Sequence, residues 1–192
     1  GLKAYVSTHP NISVPEFNHL ASVLISQHGT SGIRSIQLAK DTVVSHVYPV
    51  KGNKQAIGLD LLNVPEQSSA VQRALESRAT VVAGPVELVQ GGTAFIGRTP
   101  IYLTPPGEPL NSGAYWGLTT ILIDDAAIFS EAGISQNTDG LQYALRGRDG
   151  MGAKGEAFFG DPGVFDSHPM VLAIEIPGGT WQLAAVPLRG VL

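Results

Sequence analysis

Cysteine is missing from all 192 residues. Its absence rules out disulfides, thiolate metal centres and a cysteine nucleophile, and it fits an oxidising compartment as well as a reducing one. No run approaches the ~20 consecutive apolar residues that a membrane-crossing helix needs. Charge is scarce at 15% of residues, with a net charge of −4 and no block of one sign. The twelve basic residues are scattered, so no nucleic-acid surface is expected. Metal motifs are missing too. The five histidines stand far apart with no H-E-x-x-H pair, so no metal site and no cofactor is expected. There is no G-x-S-x-G elbow, and this thin inventory of reactive groups favours a binding module over an enzyme.

What is present describes a turn-rich globular chain with a strong β component: 43% hydrophobic residues, 23 glycines and 13 prolines. In "ISVPEFNHLASVLISQHG", Ser13 and Glu16 have capping-box spacing. Phe17, Leu20, Ala21 and Leu24 share one face and Gly29 is a stop, which together predict a helix. Two β-rich runs follow, 33–38 and 43–50, joined at Lys40-Asp41 as a hairpin. A short strand before Asp60 then leads to a second helix, for which Asn63 and Glu66 repeat the capping-box spacing and Val71, Ala74 and Leu75 supply the buried stripe.

The stretch 80–103 reads as two antiparallel strands turning at Gly91-Gly92, and "AYWGLTTILIDD" as a central strand. Asp124 or Asp125 caps a helix that begins at Ala126 and ends near Gly133. Short strands in "GLQYALRG", "GEAFFGD", "PMVLAIEI" and "GTWQLAAVPL" fill the last third, with Pro177-Gly178-Gly179 closing a hairpin. The result is an α+β fold with antiparallel sheets, divided near residue 125 into a larger and a smaller lobe.

Two motifs invite chemistry and lack its context. "GMGAKG", residues 150–155, spells G-x-G-x-x-G but is followed by strand-like "EAFFGD" instead of a helix, so it reads as a hairpin loop. "DPGVFDSH", 161–168, lacks the alternating acids and terminal glutamate of a calcium loop and reads as a turn. Trp116 and Trp181 sit in strand-like runs, as core or as a cavity wall.

Several stretches, in order, resemble the CHASE domains, extracytoplasmic sensory modules of histidine kinases, diguanylate cyclases and related receptors. They are "GLKAYVSTHPNISVPEFNHLASVL", "SIQLAKDTVVSHVYPVKGNKQAIGLDLL", "AGPVELVQGGTAFIGRTPIY", "YWGLTTILID", "GEAFFGDPGVF" and "GGTWQLAAVP". The resemblance implies a membrane-distal PAS-like lobe over 1–125, carrying the remnant of a stalk helix, and a smaller membrane-proximal PAS-like lobe over 126–192. It also implies a membrane-anchored receptor whose periplasmic or extracellular part this is, with homodimerisation carried largely by the stalk and a small-molecule ligand of unknown identity.

In the plant cytokinin receptors of that family an aspartate and a strand backbone group hold the ligand. By resemblance these positions fall on Asp60 of "GLD" and Val82 of "VVAGP". For Asp60 two readings stand side by side: a ligand contact at a cavity edge, or a turn residue that bonds local backbone N–H groups. Gln37, Tyr48, Phe95, Thr99, Tyr102 and Thr120, all on expected strands, complete the candidate lining set. The competing reading for the whole chain is a structural or partner-binding module with a filled cavity.

Overall fold

A computed structural model of the chain describes residues 1–27, 32–88, 91–135 and 137–188. Its centre is a five-stranded antiparallel sheet in the order β2-β1-β5-β4-β3. The strands are β1 (Ile33–Lys40), β2 (Val43–Tyr48), β3 (Val81–Glu87), β4 (Thr93–Tyr102) and β5 (Tyr115–Asp124).

Helices α1 (Leu2–Thr8) and α2 (Val14–Gln27) cover one face of this sheet. The Ser13 capping box forms as expected: the Ser13 hydroxyl accepts from the Glu16 backbone N–H at 3.2 Å and donates to its carboxylate at 3.0 Å. Below that cap, Phe17 and Ala21 are fully buried and pack with Leu2 and Val6 of α1 onto Ile36, Leu38 and Ile101. Burying a Leu, Ile or Phe side chain contributes roughly 1.5–3 kcal/mol each, so this face of the sheet is closed largely by apolar contact. The expected stop at Gly29 lies outside the described residues.

The other face is covered by α3 (Pro65–Ser77) and by the chain leading into it. Here two expectations are corrected. No strand precedes Asp60: Gly52 and Gly58 take φ of 83° and 88°, and a 3₁₀ turn, Lys54–Ala56, lies between them. The chain is bonded to the start of β2 and the residue before it, Val44 N–H donating to Leu59 C=O at 2.9 Å, Gly58 N–H to Val44 C=O at 2.8 Å and Leu61 N–H to Thr42 C=O at 2.9 Å. Nor does Asn63 cap α3. Pro65 occupies the first turn, where its fixed φ and missing N–H set the start of the helix, and the cap residue is Val64. Val71, with Leu61 and Ala56, packs on Val44, Val47, Ala39 and Leu118.

A second antiparallel sheet follows helix α4 (Asp125–Glu131) and runs β6-β7-β10-β9, with β8 on β7. Its strands are β6 (Asn137–Thr138), β7 (Leu141–Arg146), β8 (Ala157–Phe159), β9 (Met170–Ile176) and β10 (Gly179–Pro187). The architecture is therefore α+β with two antiparallel sheets and flanking helices, PAS-like in plan. At the α4 start, Asp125 Oδ1 accepts from Ala126 N–H at 2.7 Å, while Asp124 instead faces Arg34 at 3.6 Å. The "GMGAKG" stretch is a pair of 3₁₀ turns, Arg148–Gly150 and Gly152–Lys154. Residues 162–166 make another 3₁₀ turn, entered through Asp161.

The two sheets meet along the outer edge of β3. Val82 N–H donates to Pro177 C=O at 2.9 Å, and Gly84 N–H donates to Asp149 Oδ1 at 2.7 Å. The Arg148 guanidinium donates to Pro85 C=O. Gly84 adopts φ 99°, and a Cβ there would lie 2.9 Å from Ala94 C=O, so glycine is required at this junction. Behind it, Phe95 packs against Trp181, Phe158 and Phe129 at ring-centroid distances of 4.9, 5.7 and 6.0 Å.

Candidate ligand-binding site

Strand register brings three polar residues into one row on the α3 side of the first sheet. Gln37 of β1 pairs with Thr120 of β5, and Thr120 pairs with Arg98 of β4. Neighbouring strands lie about 4.8 Å apart, so the row spans roughly 10 Å. All three are buried, with 5%, 2% and 1% of their surface exposed respectively. They face a cavity of about 140 Å³ whose remaining wall includes Gln55, Ala56, Leu59, Leu61 and Gln67. An apolar floor of Ile96 and Leu122 completes it.

The row is incompletely satisfied. Arg98 Nη2 donates to Gln67 Oε1, but among the described residues Nε and Nη1 have no hydrogen-bond partner, and neither has the Thr120 hydroxyl. Gln37 Nε2 donates to Ser35 Oγ at 3.3 Å. Burial pushes the Arg98 guanidinium down to about 10, with the field of Asp149 acting in the opposite direction, so at neutral pH the side chain is still a cation. A buried charge with open donors is costly to a fold: each unsatisfied buried donor costs about 1–3 kcal/mol, and well-packed apolar residues in its place are often as stable or more so. Packing therefore does not account for Arg98.

Two other hollows adjoin the first sheet. A cleft of about 670 Å³ lies between the start of α3, the end of β3 and the turn at Arg148-Asp149, and Gln67 and Leu88 line both this cleft and the cavity. On the helical face, Thr99, Thr119, Ile33, Ile36, Leu24 and Leu2 line a groove of about 280 Å³.

Among the residues singled out from sequence, the cavity takes Gln37 and Thr120. Asp60 stands beside it, half-buried, and its carboxylate is engaged locally. Oδ1 accepts from the Thr42 hydroxyl at 2.8 Å and from Leu62 N–H at 3.1 Å, and Oδ2 accepts from Asn63 Nδ2 at 3.4 Å. That is the turn-residue geometry of the two readings above, and the charge facing the cavity is Arg98's. The Val82 N–H is bonded to Pro177, on the edge joining the sheets. Phe95 belongs to the aromatic cluster there. Thr99 faces the helical side, sharing a hydrogen bond with Thr80 at 2.7 Å. Tyr48 packs against the helical core, and Tyr102 lies under the Arg78 guanidinium, 3.9 Å from the ring centre.

Arg98, Gln55 and Gln67 escape a reading from sequence. The available signal is parity: on β4, Arg98 shares its face with Ile96, two residues away. Trp116 is core, its Nε1–H donating to Pro10 C=O at 3.0 Å, and Trp181 belongs to the aromatic cluster. No three His, Cys, Asp or Glu side chains converge to hold a metal ion among the described residues, and no helix there is long and apolar enough to cross a membrane.

Two antiparallel sheets with flanking helices, the first carrying a hollow under a covering helix, define a PAS-like α+β domain. The family model described as "CHASE domain" matches residues 39–159, more than half of the 192, and the chain belongs to the CHASE family. No curated protein matches it in sequence.

Solved structures share the fold at low identity. An extracellular ligand-binding receptor from Desulfohalobium retbaense DSM5692 superposes with a TM-score of 0.69 at 12% identity, covering 95% of this chain and 35% of the receptor. This chain thus spans about a third of that protein. The ligand-binding domain of the Pseudomonas aeruginosa PAO1 amino acid chemoreceptor PctC, in complex with GABA, gives 0.59 at 11%, over 96% and 87% of the two chains. The ligand-binding domain of the Pseudomonas fluorescens chemoreceptor CtaA, in complex with L-serine, gives 0.60 at 13%, over 96% and 84%.

Proposed function

We propose that this extracellular sensing domain binds a small molecule in the cavity between the central sheet and α3, and performs no chemistry. The observation that carries the reading is the buried row Gln37–Thr120–Arg98, which lines a hollow while two guanidinium nitrogens and the threonine hydroxyl have no hydrogen-bond partner among the described residues. Buried polar groups in folded proteins are almost always bonded, and a ligand supplies the missing partners. The two chemoreceptor neighbours are described with GABA and L-serine bound, which agrees with a ligand of this size class.

Residues 1–125 then form the membrane-distal, ligand-binding lobe and 126–192 the membrane-proximal one, in the periplasmic or extracellular portion of an inner-membrane receptor with a histidine kinase or diguanylate cyclase output. Homodimerisation runs through a stalk that leads into α1. Val81 of β3 pairs with Arg98, and the next residue, Val82, is bonded to Pro177 of the second sheet, so occupancy of the cavity bears directly on the junction between the lobes. A ligand sends a signal only to the extent that it binds one arrangement of that junction better than the other.

Native mass spectrometry of gently purified protein, followed by a thermal-shift screen of metabolites, tests this against a cavity-filled control, Ala56→Phe. Stabilising compounds are expected to lose their effect in the variant. Equal responses in both proteins, or none from any compound in wild type, would overturn the reading.

A further inference from the structure

We propose that the ligand is a small monocarboxylate, its carboxylate held by Arg98 at the end of the Gln37–Thr120–Arg98 row and its short apolar remainder packed on Ile96, Leu61 and Leu122. This deepens the sensing role just described and rests on it.

The sign of charge comes first. Among the described residues lining the cavity, Arg98 is the one that is charged, and none is acidic. An anion that reaches the row thus finds a guanidinium whose Nε and Nη1 have no hydrogen-bond partner among the described residues. Guanidinium and carboxylate match as two parallel N–H···O bonds, roughly twice as strong as neutral hydrogen bonds; both such pairs of the guanidinium include Nη2, so a bidentate carboxylate takes Nη2 from Gln67 together with Nε or Nη1. A cation would meet only amide and hydroxyl oxygens beside a like charge. A zwitterion would leave its ammonium without a carboxylate partner.

Size comes second. A cavity of roughly 150 Å³ accepts a guest the size of benzene, and this one measures about 140 Å³. A carboxylate carrying a chain of a few carbons fits it, whereas a purine, with ten ring and exocyclic heavy atoms, does not. A second carboxylate would lack a cation: the nearest in the adjoining cleft, Arg148, is already engaged with Pro85 C=O and sits 3.5 Å from Glu156.

The entry point comes third. Nε and Nη1 are shut off from solvent, and the guanidinium's hydrogen-bond partner among the described residues, Gln67, also lines the cleft. Displacing the Gln67 amide from Nη2 frees that nitrogen for the ligand carboxylate; the cleft on that side carries Glu66, Glu87, Asp149 and Glu156 beside Arg148, so the preference for an anion rests on the cavity and not on the approach to it.

The probes are three near-isosteres, sodium propionate, propionamide and n-propylamine, titrated by calorimetry into the dialysed 192-residue protein and into Arg98→Met, Arg98→Lys and Thr120→Val. Sodium chloride and sodium sulfate at matched ionic strength are controls. Propionate is expected to bind wild type at least roughly tenfold more tightly than propionamide or propylamine, a difference of about 1.4 kcal/mol. Arg98→Met should abolish that preference and Arg98→Lys should retain part of it. Thr120→Val should weaken propionate by a smaller factor, which keeps the test open if Arg98→Met fails to fold.

Tighter binding of propionamide or propylamine than propionate overturns the carboxylate assignment and leaves the sensing role standing. Chloride or sulfate competing as well as propionate shows an inorganic anion site and overturns the assignment as well. Unchanged propionate affinity in Arg98→Met removes the residue. Failure of every probe, together with an empty metabolite screen, removes the sensing role itself.

Discussion

Replacing Phe95 with alanine tests how the two sheets are joined. The ring is 2% exposed and touches Trp181, Phe158 and Phe129, with centroids 4.9, 5.7 and 6.0 Å away. Two of those rings come from the second sheet and the third from α4, so the hole left by truncation has walls on separate elements and collapses poorly. Buried Phe→Ala changes cost about 3–5 kcal/mol, the upper part of that range applying where the site cannot close. Aromatic pairs contribute about 0.5–1.5 kcal/mol each beyond their area, which is contained in that figure, so about 4 kcal/mol is expected here. For a chain of this length each kcal/mol moves the melting temperature by about 2–4 °C. Differential scanning calorimetry should therefore show a fall of roughly 8–16 °C.

Because the ring is shared between sheets, the single transition of wild type should broaden or split in Phe95→Ala, the second sheet melting first. A Phe95→Ala and Trp181→Ala cycle should give a coupling of about 1 kcal/mol. A loss under about 1 kcal/mol with an unsplit transition would mean that the cluster does not join the sheets, since an exposed or relaxed site is the only kind that costs so little.

Two further outcomes follow from local geometry. Asp60→Ala removes the acceptor for Thr42 and Leu62 N–H and should lower stability by about 1–2 kcal/mol in chemical denaturation; propionate affinity should change by less than about threefold, a shift within a single interaction's spread, and a tenfold loss would make Asp60 a ligand contact. The Tyr5 hydroxyl at 2.9 Å, and then Ser13, hold the Glu16 carboxyl below the usual carboxylate range. A carboxyl with a depressed folded-state value contributes stability above its unfolded value, about pH 4.3, and loses that contribution as pH falls through the folded value. Glu16→Gln should therefore flatten the acid limb of a stability-versus-pH curve, and an unaltered limb would show that the capping box carries no such linkage.

Much of this architecture is legible in the amino-acid order. The Ser13 cap, the β1–β2 hairpin, the β3–β4 pair and the β9–β10 hairpin announce themselves through local spacing and turn residues, which act within a few positions of the chain. The cavity wall does not. β4 is buried on both faces, by α1 and α2 on one side and α3 on the other, so alternation in "TAFIGRTPIY" does not reveal which parity faces a hollow. Choosing Phe95 and Thr99 selects one face of the strand, whereas Arg98 with Ile96 forms the other. An arginine among strand residues also reads as a solvent-facing side chain until register sets it beside Thr120 and Gln37. Asp60 illustrates the opposite difficulty: an acid flanked by leucines suggests a site, while its bonds to Thr42 and Leu62 N–H have the geometry of a local turn.

The seam along β3 has one more consequence. An unpaired sheet edge is a template for a foreign strand, and here both margins of the first sheet are occupied, β2 by residues 58–61 and β3 by the Pro177 and Asp149 turns. The smaller lobe thus serves as a guard as well as a relay. Severed from it, the ligand-binding half would present a bare, sticky border and an uncovered phenylalanine to its own kind, so self-association is the price of separation.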